Sequence, residues 1–374
     1  MSQYVRAPFV PIGASVGITS PGFGSQFFFE GNIVDSGGNS LTLDVSTPFE
    51  LASISKTFTT TLYEYFVQGG FIEATAMLGN YFSPDEIGRL TDIPLLNLAN
   101  YTSGLPADNI TVTDLPGSLT TGPYTDQQLF DFLGSNPLFF SEVNSPGNSY
   151  TYSNLGFALL AMAVGKAITG ADSYEALVNQ YILAPLGMSS TVLFENFTGA
   201  FPRGFSSETA FSNWNESRFV SGPGWIVLPA YNGAGGWVSN STDLMTWLQF
   251  NMGILQNPDL TPLLNTLHSP ATTVTENGEQ LGVGWFLHTL SNDSGQAISF
   301  VWKDGSLRGF NSYIAFLQTP VGQPSNAGAF VLTNSDGDAD SNMTIDLLFL
   351  MSGLTPPTDK GAYPRTRVSA AARA

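Results

Sequence analysis

Apolar residues alternate with small or polar ones near the start of the chain, in Ala14-Ser15-Val16-Gly17-Ile18-Thr19 and Ser25-Gln26-Phe27-Phe28-Phe29-Glu30-Gly31-Asn32. That period of two predicts a pair of short strands joined by the Gly/Pro turn at 20–24. Past an extended approach at Asp44–Leu51 the apolar spacing changes to three and four. It predicts helices over Ile54–Phe66, Phe71–Leu78, Asp126–Leu133, Leu155–Ile168 and Tyr174–Ile182. Gly69-Gly70 stops the first, while Thr125 and Asn154 stand where caps open the third and fourth. After Pro202 strands and turns return, with one helix at Ser241–Met252 opened by Asn240. Strands at Gly282–Leu290, Ala297–Lys303, Asn311–Gln318 and Ala327–Asn334 then lead to a closing helix at Ser341–Met351. Strands at both ends with helices between them predict an α+β architecture. A mixed domain is made from 1–65 plus 230–354, and a mostly helical domain with long loops is inserted at 66–229. The tail, 355–374, has three prolines and then Arg365, Arg367 and Arg373 among small residues, and is expected to be mobile.

Composition narrows the chemistry. The 374 residues are 43% hydrophobic, enough for a large core. Lys+Arg number 12 against 30 Asp+Glu, a net charge of −18, so the surface repels nucleic acid, and no nucleic-acid partner is expected. Cysteine is absent, which excludes disulfides, thiolate metal sites and cysteine nucleophiles. The longest apolar run, Gly156–Gly165, is too short to span a bilayer, so no membrane insertion is expected. Residues 1–11 show no signal-peptide pattern. Low lysine content, acidity and Asn-x-Ser/Thr sequons at Asn100, Asn109, Asn196, Asn215, Asn240, Asn292 and Asn342 nevertheless point toward an exported protein, with the cytoplasm as the alternative.

Three places attract a chemical reading. Ser53-Ile54-Ser55-Lys56 puts a hydroxyl at the start of a helix with an amine three residues on, on the same face. A hydroxyl beside an amine at a positively polarised helix end is a candidate nucleophile; the plainer reading is a capping serine with a solvated lysine. Tyr152-Ser153-Asn154 lies at a loop-to-helix junction, where a core tyrosine and a capping asparagine are the plain alternatives. Trp302-Lys303-Asp304-Gly305-Ser306 ends a strand, and Lys303 is one of only four lysines, Lys56 being another.

In this order the three motifs resemble those of the serine β-lactamase and penicillin-binding-protein-like hydrolases, in the class C branch with its family VIII esterase and D-aminopeptidase relatives. Leu98–Pro106, with Thr102-Ser103-Gly104-Leu105, and Gly233–Ser239 before Asp243-Leu244 resemble two further family phrases, so the likeness runs from about Gly13 to Leu354. It implies a β-lactamase-like fold, an antiparallel sheet flanked by helices and built from both termini. It also implies an acyl-enzyme mechanism without metal or other cofactor: Ser53 attacks, Lys56 and Tyr152 share the proton, and Lys303 with Lys56 draws the phenol toward its ionised form. Asn154 orients Lys56 or the substrate, and the N–H groups of Ser53 and Ser306 form an oxyanion hole beside Gly305.

One residue departs from the pattern. Asp304 stands where the lactam-recognising relatives have a threonine that, with the lysine, helps bind a substrate carboxylate. Like charges about 4 Å apart oppose each other by roughly 4 kcal/mol at an effective dielectric of about 20. Arg308 is a candidate to compensate. Small neutral esters therefore rank first as substrates, ahead of D-amino-acid amides or peptides and of lactams; acyl transfer to acceptors other than water is open to the same residues.

Other motifs compete. Gly13-Ala14-Ser15-Val16-Gly17 matches a G-x-S-x-G nucleophile elbow but continues as a strand, with no helix following. His268 and His288 lack metal-ligand spacing, and Asp336–Asp340 starts like a calcium loop without its glycine or closing glutamate. A non-catalytic binding protein retaining the fold is the alternative of a different class. Substrate selection is expected in the loops 101–124, 136–150 and 201–231.

Overall fold

The computed structural model describes residues 12–108, 124–135, 143–147, 149–168, 173–205, 229–271, 275, 277–307, 309–320, 323–335 and 339–366. Twelve strands occur among them: β1 (Gly13–Ser20), β2 (Gly24–Gly31), β3 (Ile33–Val34), β4 (Ser40–Leu41), β5 (Phe49–Glu50), β6 (Val192–Leu193), β7 (Trp237–Ser239), β8 (Gln280–Leu281), β9 (Phe286–Ser291), β10 (Ala297–Leu307), β11 (Phe310–Leu317) and β12 (Gly328–Thr333). Seven form one antiparallel sheet in the order β2-β1-β12-β11-β10-β9-β8, so the first hairpin of the chain pairs with its last strand, Val16 opposite Val331. A small β5-β7-β6 sheet leads into the Ser53 turn, and β3 pairs with β4.

Both faces of the sheet are covered, which is why β11 and β12 read as nearly unbroken buried runs. The Ala339–Met351 helix packs on one face, where Val16, Val331 and Met343 form a cluster of their own. The Ser241–Asn251 helix packs on the other, its Met245 against Gly17 and Phe330. The largely buried Ser55–Gln68 helix lies beneath, with Phe58 against Trp237 and Trp247.

The helices over Asp126–Ser135 and Asn154–Ala167 lie close to where the spacing put them. Phe71–Leu78 is not helical. Its apolar residues reach the core from bends and a turn: Ile72, Ala76 and Leu78 are buried, Phe71 is 67% exposed, and Met77 bridges to Pro94. Three inward apolar residues suffice to mimic a helical period. The tail also differs from expectation. Residues 355–366 are packed onto the protein, with Tyr363 and Thr366 buried.

Candidate active site

The Ser53 turn is a single 3-10 turn, Ala52–Ile54, that runs directly into the Ser55–Gln68 helix. Ala52 enters it at φ 48°, and Tyr101, at φ 62°, is the other non-glycine residue with positive φ among the described residues. Such backbone is costly for an L-residue and persists only where the surroundings impose it. Both residues border the same site. β10 presses against this turn at Gly305: a Cβ there would come within 2.2 Å of the Leu51 carbonyl and 3.0 Å of the Ala52 methyl. Only glycine lets the third motif lie this close to the first.

Two side chains converge on Ser53. Lys56 Nζ lies 2.9 Å from its Oγ, and the Tyr152 hydroxyl donates to the same Oγ at 2.6 Å. The lysine nitrogen has two other partners, Asn154 Oδ1 and the Ala234 carbonyl, each at 2.7 Å. A neutral amine has two N–H donors and one lone pair, and these three contacts match it: two N–H to the two carbonyl-type oxygens, and the lone pair toward the Ser53 O–H. An ammonium would also fill them with three donors. Burial, and then the neighbouring Lys303 charge, push Lys56 well below the usual lysine range, favouring the amine.

Tyr152 departs from the expectation of an ionised phenol. Burial, and next the Asp304 charge, raise its pKa well above the usual tyrosine value, outweighing the hydrogen bond to Ser53 that lowers it. The protonated phenol is the favoured form, and it donates to Ser53 Oγ.

Asn154 is also placed differently from the sequence reading. Ser153 is the helix cap, accepting from the Gly156 N–H at 2.9 Å and donating to the Pro106 carbonyl at 2.6 Å. Asn154 is thereby the first helical residue, and its amide is free to bind Lys56 on one side and Asp108 Oδ2, at 3.3 Å, on the other.

The third motif supplies Lys303, fully buried, with its ammonium 5.5 Å from the centre of the Tyr152 ring. The ammonium is spent on the neighbouring residue: it donates to the Asp304 carbonyl at 2.7 Å and to Asp304 Oδ1 at 2.9 Å. Burial would raise the pKa of Asp304, but Lys303 and then Thr366 hold it below the usual carboxylate range. The Asp304 side chain is therefore an internal partner, held by contacts a free surface carboxylate would lack. Ser306, exposed, follows in β10, and Arg308 lies outside the described residues.

The sequence did not single out the ring stack that joins these parts. Tyr101 stacks on Tyr152 at 5.6 Å and on Phe286 at 4.9 Å; Phe286 stacks on Trp302 at 4.8 Å, and Trp302 on Tyr313 at 5.4 Å. Asp108 and Thr366 carried no signal in the sequence, whereas Tyr101 lies in the Leu98–Pro106 phrase and Ala234 in the Gly233–Ser239 phrase.

Elsewhere, Ser15 sits inside β1 with its Oγ 2.5 Å from that of Ser241, remote from any histidine partner in that strand pairing. His268 is wedged against Trp285 and Phe316, where burial lowers its pKa to about 3. Among the described residues no group of three or more His, Asp or Glu is placed to hold a metal, and no helix is long and apolar enough to cross a membrane. Asp336–Asp338 and most of the loops expected to select substrate (109–123, 136–142, 206–228) lie outside the described residues.

Residues 23–350 match the Beta-lactamase family model. The chain belongs to the Beta-lactamase family. It is a family of serine hydrolases. This Beta-lactamase family member is 26% identical over 342 residues to the D-alanyl-D-alanine-carboxypeptidase/endopeptidase AmpH of Escherichia coli (strain K12), covering 85% of this chain and 80% of that one. It is likewise 26% identical over 327 residues to a beta-lactamase of Yersinia enterocolitica, covering 78% and 76%. Among solved structures it shares the fold of a class C beta-lactamase, with a TM-score of 0.69, 24% identity and 91% and 90% coverage. A D-alanine carboxypeptidase AmpC from Burkholderia cenocepacia gives a TM-score of 0.69 at 22% identity, with 94% and 95% coverage.

Proposed function

We propose that this family member is an esterase that cleaves small carboxylic esters through an acyl-enzyme on Ser53. The observation that carries the reading is Ser53 Oγ held between Lys56 Nζ, as acceptor of its proton, and the Tyr152 hydroxyl. In acylation the Lys56 amine takes the Ser53 proton while Oγ bonds to the ester carbonyl carbon. The N–H groups of Ser53 and Ser306 stabilise the oxyanion. As the tetrahedral intermediate collapses, Tyr152 protonates the departing alkoxide and is reprotonated from the Lys56 ammonium, whose nitrogen lies 4.9 Å from its ring centre. Water then attacks the acyl group, gives its proton to the same pair and releases the acid, and Ser53 regains its hydrogen.

Esters rank above lactams because the cation that would anchor a substrate carboxylate is already engaged: Lys303 donates to Asp304 twice. Ester substrates need no such anchor, and an alkoxide is a better leaving group than an amide nitrogen. Activity on D-amino-acid amides or peptides, or on lactams, uses the same atoms and is the second reading, favoured by the likeness to the Escherichia coli D-alanyl-D-alanine-carboxypeptidase/endopeptidase and the Yersinia enterocolitica beta-lactamase. A binding protein that keeps the fold without turnover is the third.

The test is a side-by-side assay of wild type and Ser53→Ala on a short-chain p-nitrophenyl ester and a chromogenic cephalosporin. Ester turnover that falls at least about a thousandfold in Ser53→Ala, with little lactam turnover, is the expected result. Fast lactam hydrolysis would overturn the ester preference, and ester turnover surviving in Ser53→Ala would overturn the mechanism.

A further inference from the structure

Residues 352–366, after the Ala339–Met351 helix, stay against the molecule. Thr358 bonds Asp293, its N–H and hydroxyl both reaching the carboxylate. Lys360 pairs with Asp346 at 2.6 Å, and the Tyr363 hydroxyl bonds the same carboxylate. The Tyr313 hydroxyl donates to the Pro364 carbonyl at 3.0 Å, and Arg365 donates to Asn342 at 2.9 Å. Each step of this strap is fastened, and it ends at the third motif. There the Thr366 N–H donates to Asp304 Oδ2 at 2.8 Å, the Thr366 hydroxyl donates to Asp304 Oδ1, and Lys303 Nζ lies 3.5 Å from that hydroxyl.

Three donors, from Lys303 and twice from Thr366, thus saturate one buried carboxylate beside the candidate nucleophile's proton relay. We propose that Thr366 is a specificity-determining residue: by satisfying Asp304 from within the chain it withholds that carboxylate from substrates, and its displacement opens the site to molecules carrying an ammonium group. The proposal rests on the hydrolase reading, and deepens it by naming what sets its charge preference. With Thr366 in place, Lys303 and Asp304 form a closed, neutral pair that offers a substrate neither charge. With its donors removed, the carboxylate keeps one partner in a poorly hydrated place, and a buried anion short of donors is stabilised by any cation that reaches it. A substrate ammonium can supply both charge and hydrogen bonds.

Proline at position 366 removes both donors at once, since it has neither N–H nor hydroxyl; valine removes only the hydroxyl, and serine keeps both. The experiment titrates wild type, Thr366→Ser, Thr366→Val, Thr366→Pro and Thr366→Pro with Asp304→Asn by calorimetry. The probes are phenylboronic acid and 3-(aminomethyl)phenylboronic acid, which bond to a nucleophilic serine without being turned over. The readout is the ratio of the two affinities, which a merely structural role for the strap would leave unchanged. The expected preference for the ammonium probe rises roughly three- to tenfold in Thr366→Pro, less in Thr366→Val, not at all in Thr366→Ser, and reverts when Asp304→Asn is added. If both probes bind every variant with one constant ratio, the specificity role is overturned while the hydrolase reading stands. If neither probe binds the wild type and no Ser53-dependent ester turnover is found, the hydrolase reading fails and the proposal falls with it.

Discussion

At the scale of single residues, the site is governed by burial acting on groups of opposite tendency. Taking Lys56 out of water favours its neutral form, and taking Tyr152 out of water favours its protonated form, so one becomes an acceptor and the other a donor at the same serine oxygen. Lys303 contributes at a distance, since its charge is the second cause lowering Lys56. On the proposed mechanism the base must be unprotonated to act, so the acid limb of the kcat/KM profile for esters is expected to report Lys56. Replacing Lys303 by Met removes a like charge and raises the Lys56 pKa. That limb is expected to move to higher pH in Lys303→Met, as read from pH–rate profiles on a neutral ester. An unmoved limb would mean that Lys56 is not the titrating base. The pairing of Ser53 with Lys56 was legible from their three-residue spacing, but the lowering of the lysine pKa was not. Spacing fixes which face a side chain occupies, and only packing fixes how much water it keeps.

At the scale of elements, the Asn154–Ala167 helix shows how a cap sets a site. Ser153 takes the cap, which leaves Asn154 to bridge Lys56 and Asp108. In sequence the two neighbours are equally good capping residues. Tertiary contact decides between them, because the Ser153 hydroxyl also reaches the Pro106 carbonyl. Replacing Ser153 by Ala removes the cap and leaves that carbonyl short of a donor. The expected cost is about 1–2 kcal/mol in urea unfolding, together with a severalfold loss of ester kcat/KM as Tyr152 and Asn154 loosen. Normal stability with normal activity would show that the cap does not hold the second motif in place. The strand near the start was legible from the alternation in β1, and β12 from its short, nearly unbroken apolar run, as expected of a strand covered on both faces. Phe71–Leu78 misled because its apolar period comes from an irregular segment facing the core.

At the scale of the whole molecule, early and late segments of the chain meet. β1 pairs with β12, and the strap beyond the last helix returns to β10, so the third motif is bounded by sequence more than 60 residues later. A further consequence lies where the strap crosses the Ala339–Met351 helix. Asp340 is buried there near Asp304 and Arg365, and burial raises its pKa to about 8, against 3.8 as the ordinary value. A carboxyl raised in the folded state binds its proton more tightly there than when unfolded. Its contribution to stability is therefore present below about pH 4 and is lost as pH rises toward 8. Asp340→Asn should flatten that decline, gaining on the order of 1–3 kcal/mol at pH 8 relative to pH 5 in urea unfolding. Equal pH dependence in both proteins would assign the decline to other groups. The sequence alone determined the order of strands and helices, the three motifs and the absence of cysteine chemistry, because these follow from side-chain period and residue type along a local stretch. The tertiary structure decided that burial lowers the pKa of Lys56, that Asp304 is an internal partner, and that residues 355–366 pack as a strap. Each of these depends on hydration and on contacts between residues far apart in the chain, which local pattern does not encode.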